Sequence, residues 1–271
     1  MTNVIFWKLA TETLIKTNTI GITLGLLGIA VRLNIQLQTQ GNNLSILEEL
    51  DKGILFVGDH QRGIEMHVLN AIVGQHNRKD IYHLATLFPI GSLSRQYKIL
   101  DIRHNGNLLS VLPRTPDSDA KSTIAKKIKA TTAAVVFANN SRLNTARQKM
   151  NEDSLRRAAV LLQEGHMVNI YPTGRPRPIN TEWKQGVGKI IHFVLEDNIN
   201  KIYVIPYILE GDPAQTIRDA VHEFSTNGQC DSPRSITIQV GKPVPISDLR
   251  RDTPITTTEA VKNAYLTAIP K

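Results

Sequence analysis

The chain has 271 residues, a formal charge of +8 and a pI of about 9.6, with 41% hydrophobic and 21% charged residues. That is enough for one large domain, or one domain with a small appendage, and the charge favours anionic partners: phosphate-bearing substrates, anionic lipid or nucleic acid. The single cysteine, Cys230, excludes an internal disulfide and a multi-cysteine zinc site and suits a reducing compartment; 5% aromatics argue against base-stacking platforms for single-stranded nucleic acid.

Residues 2–17 predict a helix with Phe6, Leu9, Ala10 and Leu14 along one broad side. The apolar run 20–31 ends at Arg32, well short of the roughly twenty residues a spanning helix needs. Lys8 and Lys16 ahead of it suggest a signal peptide, but no small-residue cleavage site follows cleanly. The run reads as an interfacial or hairpin-like membrane anchor, our working reading, or equally as a buried core helix. The expected organisation is a membrane-associating segment over 1–31 and an α/β domain over 32–271.

Val31 to Gln38 alternates apolar and polar, the pattern of a half-buried strand, and Gly41-Asn42-Asn43 predicts a turn. A short helix over Leu44–Leu50 follows. Ile54 to Val57 is a short apolar run of the kind a buried strand makes, broken at Gly58, with Asp59 as an N-cap for a helix over about Gln61–Gln75. This places His60 where strand gives way to helix, at the edge of an α/β sheet where ligands tend to bind. Glu65 lies five residues on, a poor match to one helical face, so a His–Glu contact requires His60 off the helix and Glu65 on its first turns. A carboxylate on one imidazole nitrogen leaves the other free to act as a base, although such a pair also occurs as ordinary surface or capping residues.

Further strands are predicted over Ile81–Leu87, Leu108–Leu112, Met167–Tyr171, Ile202–Leu209 and Ser235–Val240. Arg114 leaves the second of these in Pro113-Arg114-Thr115-Pro116, a suitable place to meet an anion; taken alone it reads as well as a solvated loop arginine. Residues 118–165 carry many lysines and arginines and predict two or three helices, the last over Asp153–Glu164 with Gly165 as its C-cap. Their basic side chains either face phosphate or a membrane surface or, for most, form a solvated face. After Tyr171 the chain breaks sharply at Pro172-Thr173-Gly174-Arg175-Pro176-Arg177-Pro178. Two arginines in a rigid loop make an anion clamp or, equally, a solvated pair. A helix opening at Trp183-Lys184-Gln185-Gly186 runs to about Leu195, and Thr257–Ala268 is a closing helix. Alternating strands and helices predict an α/β fold with a largely parallel central sheet.

Four pieces now stand in a familiar order: His60 with Glu65, Arg114 after a strand, Tyr171-Pro-Thr-Gly-Arg, and Tyr203-Val-Ile-Pro-Tyr. They resemble the four blocks of the glycerolipid acyltransferase superfamily, which includes the lysophosphatidate (1-acylglycerol-3-phosphate) acyltransferases. Those blocks read Asn-His-x4-Asp, an arginine after a strand, Phe-Pro-Glu-Gly-Thr-Arg, and a centre of Val-Pro-Val. Lys184-Gln185-Gly186 also looks like the family, and the resemblance covers roughly residues 31–210. The sequence departs from it at Asp59 for Asn, Glu65 for Asp and Thr173 for Glu, with Arg175 one position early and Arg177 just beyond. The stretch between Arg114 and Tyr171 is longer than in typical bacterial members.

The resemblance implies a glycerolphosphate acyltransferase-like fold and transfer of a fatty acyl group from a thioester, acyl-CoA or acyl-carrier protein, to a hydroxyl of a lysophosphatidate-like acceptor. It implies His60 as general base, Glu65 as the acid that orients it, Arg114, Arg175, Arg177 and Lys184 as phosphate-binding residues, and Thr173 and Gly174 in the loop that serves the oxyanion. It calls for no metal or bound cofactor. Its partners are an anionic membrane surface, on the cytoplasmic side, and an acyl-carrier protein if that is the donor. The alternative is a catalytically degenerate member that binds lipid or acyl carrier without turnover. A nucleic-acid-binding protein rests on charge alone, since no helix-turn-helix, zinc or RNP-type motif occurs, and a serine hydrolase lacks a G-x-S-x-G elbow.

Overall fold

The computed structural model of the protein describes residues 34–41, 44–49, 51–60, 65–76, 81–86, 108–111, 141–174 and 179–269. The predicted segment over 1–31 lies outside them, as do Arg114, Arg175 and Arg177. Among the described residues no helix is long and apolar enough to cross a membrane.

Among the described residues, eight strands form one mixed sheet: β1 (Ile35–Gly41), β2 (Gly53–Gly58), β3 (Ile81–Thr86), β4 (Leu108–Val111), β5 (Met167–Ile170), β6 (Ile202–Leu209), β7 (Arg234–Val240) and β8 (Val244–Pro245). The order is β1-β7-β6-β2-β5-β3-β4, with β8 also on β6. The five strands from β6 to β4 are parallel; β7 and β8 run antiparallel to β6, and β1 lies parallel to β7. The sheet is thus largely parallel with an antiparallel edge, and its middle strand β2 is buried at every position. Buried parallel strands read as continuous apolar runs, which is why β2 and β6 were predictable from composition.

The helices among the described residues are α1 (Glu65–Gln75), α2 (Ser141–Gln163), α3 (Gly186–Phe193), α4 (Pro213–Asn227), the single turn α5 (Ile246–Leu249) and α6 (Pro254–Ala268). Alternation along β2 divides the core. Ile54 and Phe56 face α1, with Met66, Leu69 and Ile72 against them, and Ala220 of α4 belongs to the same layer. Leu55 and Val57 face α2, α3 and α6 through Ala158, Leu162, Val187, Ile191 and Val261. The result is helices on both faces of the sheet, the layering an α/β chain needs to cover parallel strands.

Several predicted boundaries are corrected. The helix expected from Asp153 begins at Ser141, because the polar stretch Asn151-Glu152-Asp153-Ser154 continues the helix instead of capping it. Its C-terminus is as predicted: Gly165 has φ +85°, its N–H donates to Leu162 O and that of His166 to Leu161 O, a Schellman closure. Gly41 is the last residue of β1, at φ +107°, where a side chain would run into the Val240 carbonyl; Asn42 and Asn43 of the expected turn lie outside the described residues. The helix expected from Trp183 begins at Gly186, and α6 begins three residues early at Pro254, behind a Thr253–Thr256 capping box. Pro206 sits inside β6 without breaking it. It falls between the residues that pair with β8 and those that pair with β7, and its carbonyl accepts from Gly241 N. Its missing N–H faces that same break in the ladder, where no donor is required.

Candidate active site

The C-terminal ends of β2 and β5 lie side by side, Val57 opposite Ile170. The chain leaving β2 carries Asp59 and His60, and the chain leaving β5 carries Tyr171, Pro172, Thr173 and Gly174. These two exits and the first turn of α1 make the candidate site, at the carboxyl edge of the sheet where α/β proteins bind ligands.

His60 is off the helix and Glu65 is on the first turn of α1, the arrangement their five-residue spacing requires. His60 Nδ1 is 3.8 Å from Glu65 Oε2, within ion-pair distance but beyond a hydrogen bond. The imidazole is 24% exposed and the carboxylate 0%. The acid is therefore held in the core while the base reaches the surface. Nδ1 is buried with no hydrogen-bond partner among the described residues, which leaves Nε2 as the nitrogen on the other side of the ring. The Tyr171 ring stacks on the imidazole with centroids 4.8 Å apart and planes at 25°.

Asp59 is the second acid of the site. Residues 61–64, where its predicted capping would act, lie outside the described residues. One of its carboxylate oxygens is buried with no hydrogen-bond partner among the described residues. Burial raises the Asp59 pKa, the nearby Glu65 charge raises it further, and the His60 amide and ring oppose both. A carboxyl whose folded pKa is raised holds a proton that the unfolded chain releases, so stability falls as pH rises through that window. Asp59→Asn removes the charge without changing shape. We expect it to gain stability over the wild type as pH rises from the ordinary aspartate range through the raised pKa, and to keep that gain above it. Urea melts at about pH 4 to about pH 8 read this directly; a variant less stable than wild type at neutral pH would contradict it.

The loop after β5 is tied at both ends. Gly174 N–H donates to Tyr171 O at 2.9 Å and Lys184 N–H to Pro172 O at 2.9 Å. Gly174 has φ +67°, and a Cβ there would lie 2.6 Å from Lys184 Nζ, so the lysine side chain packs over the glycine. Lys184 is exposed and Thr173 buried. The Gly174 amide is committed to its own turn, so an oxyanion would draw on other donors of this loop. His60, Glu65, Thr173 and Gly174 thus stand on the two adjoining exits and the start of α1, with Lys184 packed over Gly174. Among the described residues no group of three or more His, Cys, Asp or Glu side chains is placed to hold a metal ion.

Sequence reasoning gave no role to Tyr207, Asn169 or His83, which lie behind Tyr171 on the α1 face of the sheet. The Tyr207 ring crosses β2 at Gly58, where any Cβ would collide with it, so the glycine that ends β2 is needed for close approach and not only as a break. The available signal was a polar residue, Asn169, inside the otherwise apolar strand β5. No family model matches the chain, and no curated protein matches its sequence.

Proposed function

We propose that the protein is an O-acyltransferase of the 1-acylglycerol-3-phosphate type, moving a fatty acyl group from a thioester to the hydroxyl of a lysophosphatidate-like glycerophospholipid. The observation that carries this reading is the His60–Glu65 pair: a partly exposed imidazole at the carboxyl edge of the sheet, with a fully buried carboxylate 3.8 Å from its Nδ1. The ordered resemblance of the four sequence blocks supports it, and on this reading the α/β domain is glycerolphosphate acyltransferase-like.

In this mechanism His60 Nε2 takes the proton of the acceptor hydroxyl as its oxygen attacks the thioester carbonyl carbon. Glu65 stabilises the imidazolium and holds the ring's orientation, the task an acid performs in other His–carboxylate pairs. The tetrahedral intermediate collapses with cleavage of the C–S bond, and the departing thiolate takes the proton from His60. The ester and the free thiol, of CoA or of an acyl-carrier protein, are the products. Lys184 stands over the loop that follows β5 and, with Arg114, Arg175 and Arg177, would hold the acceptor phosphate and align the hydroxyl. Thr173 lines the same loop. No step calls for a metal or bound cofactor. The segment over 1–31 would place the site against an anionic membrane on its cytoplasmic side.

The test is an assay with labelled lysophosphatidate and a panel of acyl-CoA and acyl-carrier-protein donors. Labelled phosphatidate from at least one donor is the expected result. Lysophosphatidate binding with no transfer from any donor would replace the enzyme with a binding-only member of the same family, a reading that Thr173 in place of the block's glutamate favours.

A further inference from the structure

A chain of polar side chains runs through the layer between the sheet and α1. Tyr207 of β6 donates its hydroxyl to Asn169 Oδ1 at 3.0 Å, and Asn169 Nδ2 lies 3.0 Å from His83 Nδ1. On the far side of that ring, His83 Nε2 is 2.7 Å from Asn70 Oδ1. The directions are mutually consistent. The Asn169 amide donates to Nδ1, and Nε2–H donates to Asn70, which makes His83 a neutral ring with both nitrogens used. At the other end the Tyr207 hydroxyl is 3.4 Å from the Tyr171 hydroxyl, and Tyr171 is the ring stacked on His60.

Asn169 and Tyr207 are fully buried and His83 nearly so, among Phe56, Met66, Met167 and Ile205. Apolar side chains of similar size would fill this space without desolvating polar groups. A connected buried network instead fixes one arrangement of the elements that carry it. Here those elements are α1, β3, β5 and β6, and the network ends against the aromatic ring beneath the catalytic imidazole. A hydrogen bond from the Tyr265 hydroxyl to Tyr207 O, at 3.0 Å, pins the β6 backbone at the same residue.

We propose that Tyr171 and Tyr207 are positioning residues for His60. The Tyr171 ring is the platform on which the imidazole rests, and the Tyr207–Asn169–His83–Asn70 chain locks that platform. The catalytic part of this inference rests on the acyltransferase reading; the positioning part does not.

The experiment uses the full-length protein and three variants, Tyr207→Phe, Tyr171→Phe and Tyr171→Leu, each checked for folding by circular dichroism. The first readout needs no activity: 15N shifts of the His60 ring, which report the tautomer ratio and ring mobility. Tyr207→Phe and Tyr171→Leu are expected to change both, with Tyr171→Phe intermediate because it keeps the stack and loses the hydroxyl. Spectra of folded variants that match the wild type overturn the proposal. The second readout is acyl transfer to lysophosphatidate. A loss of about 10²-fold in kcat for Tyr171→Leu, with KM unchanged, is expected of a displaced base. Unchanged kcat overturns the catalytic part of the proposal even if the spectra move. If the wild type transfers no acyl group, the acyltransferase reading fails alone and the ring spectra still decide. Should Tyr207→Phe fail to fold, because Asn169 Oδ1 loses its donor, the two Tyr171 variants carry the test.

Discussion

Replacing His60 by alanine is expected to lower kcat for acyl transfer by about 10²–10⁴-fold, the range that a positioned general base contributes. KM for the acceptor should change little, because on the proposed mechanism the proton moves only in the transition state and other groups hold the phosphate. The fold should survive, since the imidazole is partly exposed and its removal uncovers one face of Tyr171 without opening the core. The point to control is Glu65, whose buried carboxylate loses the imidazole beside it. His60→Gln keeps a polar group there and should be equally inactive. Glu65→Gln should be less damaging than His60→Ala: the ring and its stack on Tyr171 remain, and only the charge that stabilises the imidazolium is gone. Steady-state kinetics of the three variants, with thermal melts alongside, check this order. Near-wild-type turnover in a folded His60→Ala would remove His60 from the mechanism, and with it the proposed reaction.

The pair at the centre of that experiment was legible because it is local. Two residues five apart across a strand-to-helix junction either meet or do not, and the junction is written in Gly58 and the apolar run before it. The strands were legible for a related reason: Ile54–Val57 and Ile202–Leu209 are apolar throughout, as strands covered on both faces must be. What supports the imidazole was not legible. Tyr207, Asn169 and His83 come from β6, β5 and β3, whose neighbourhood is set by a strand order that skips along the chain. Alternation indicates only that Met167, Asn169 and Tyr171 share a face, not which strands flank them. The helices show the opposite failure. Helix α4 carries a full set of local signals: Asp212 accepting from Gln215 N, Pro213 in the first turn and Gly228 at φ +75° after the end. It escaped prediction because its surface is mostly polar and few of its side chains enter the core. Helix α2 was cut short because Asn151-Glu152-Asp153-Ser154 resembles a cap, whereas the helix runs through it without a break from Ser141.

The largest stability effect is expected at Gly188, on α3 where it crosses the start of α6. A Cβ at this position would run into the Pro254 carbonyl and come within 2.5 Å of Thr258 Oγ1. Neither neighbour can give way cheaply. The first is backbone at the N-terminus of α6, and the second is held by two hydrogen bonds, accepting from Gly188 N at 3.2 Å and donating to Pro254 O at 2.7 Å. Alanine would otherwise be favoured here, by about 1 kcal/mol over glycine inside a helix. Overpacking a tight contact typically costs about 1–3 kcal/mol, and a collision with backbone lies at the upper end of that range. The steric term therefore wins, and Gly188→Ala should lose about 2 kcal/mol net, a fall in Tm of roughly 4–8 °C for a chain of this size. Gly186→Ala is the internal comparison. Its Cβ would meet only the ends of two flexible side chains, Ile170 Cδ1 at 3.3 Å and Leu155 Cδ2 at 3.7 Å, and at the first residue of α3 the substitution should stay near wild-type stability. The loss at Gly188 should also reach the site. Trp183 packs edge-on against Tyr265 of α6 at 5.6 Å, and the next residue, Lys184, ties the loop after β5 through its bond to Pro172 O. Parting α3 from α6 loosens that tie while leaving His60 and Glu65, which hang from β2 and α1, in place. Acceptor KM should then rise more than kcat falls, the reverse of the pattern at His60, and equal stability of the two glycine variants would show that the α3–α6 crossing is not as close as the structure has it.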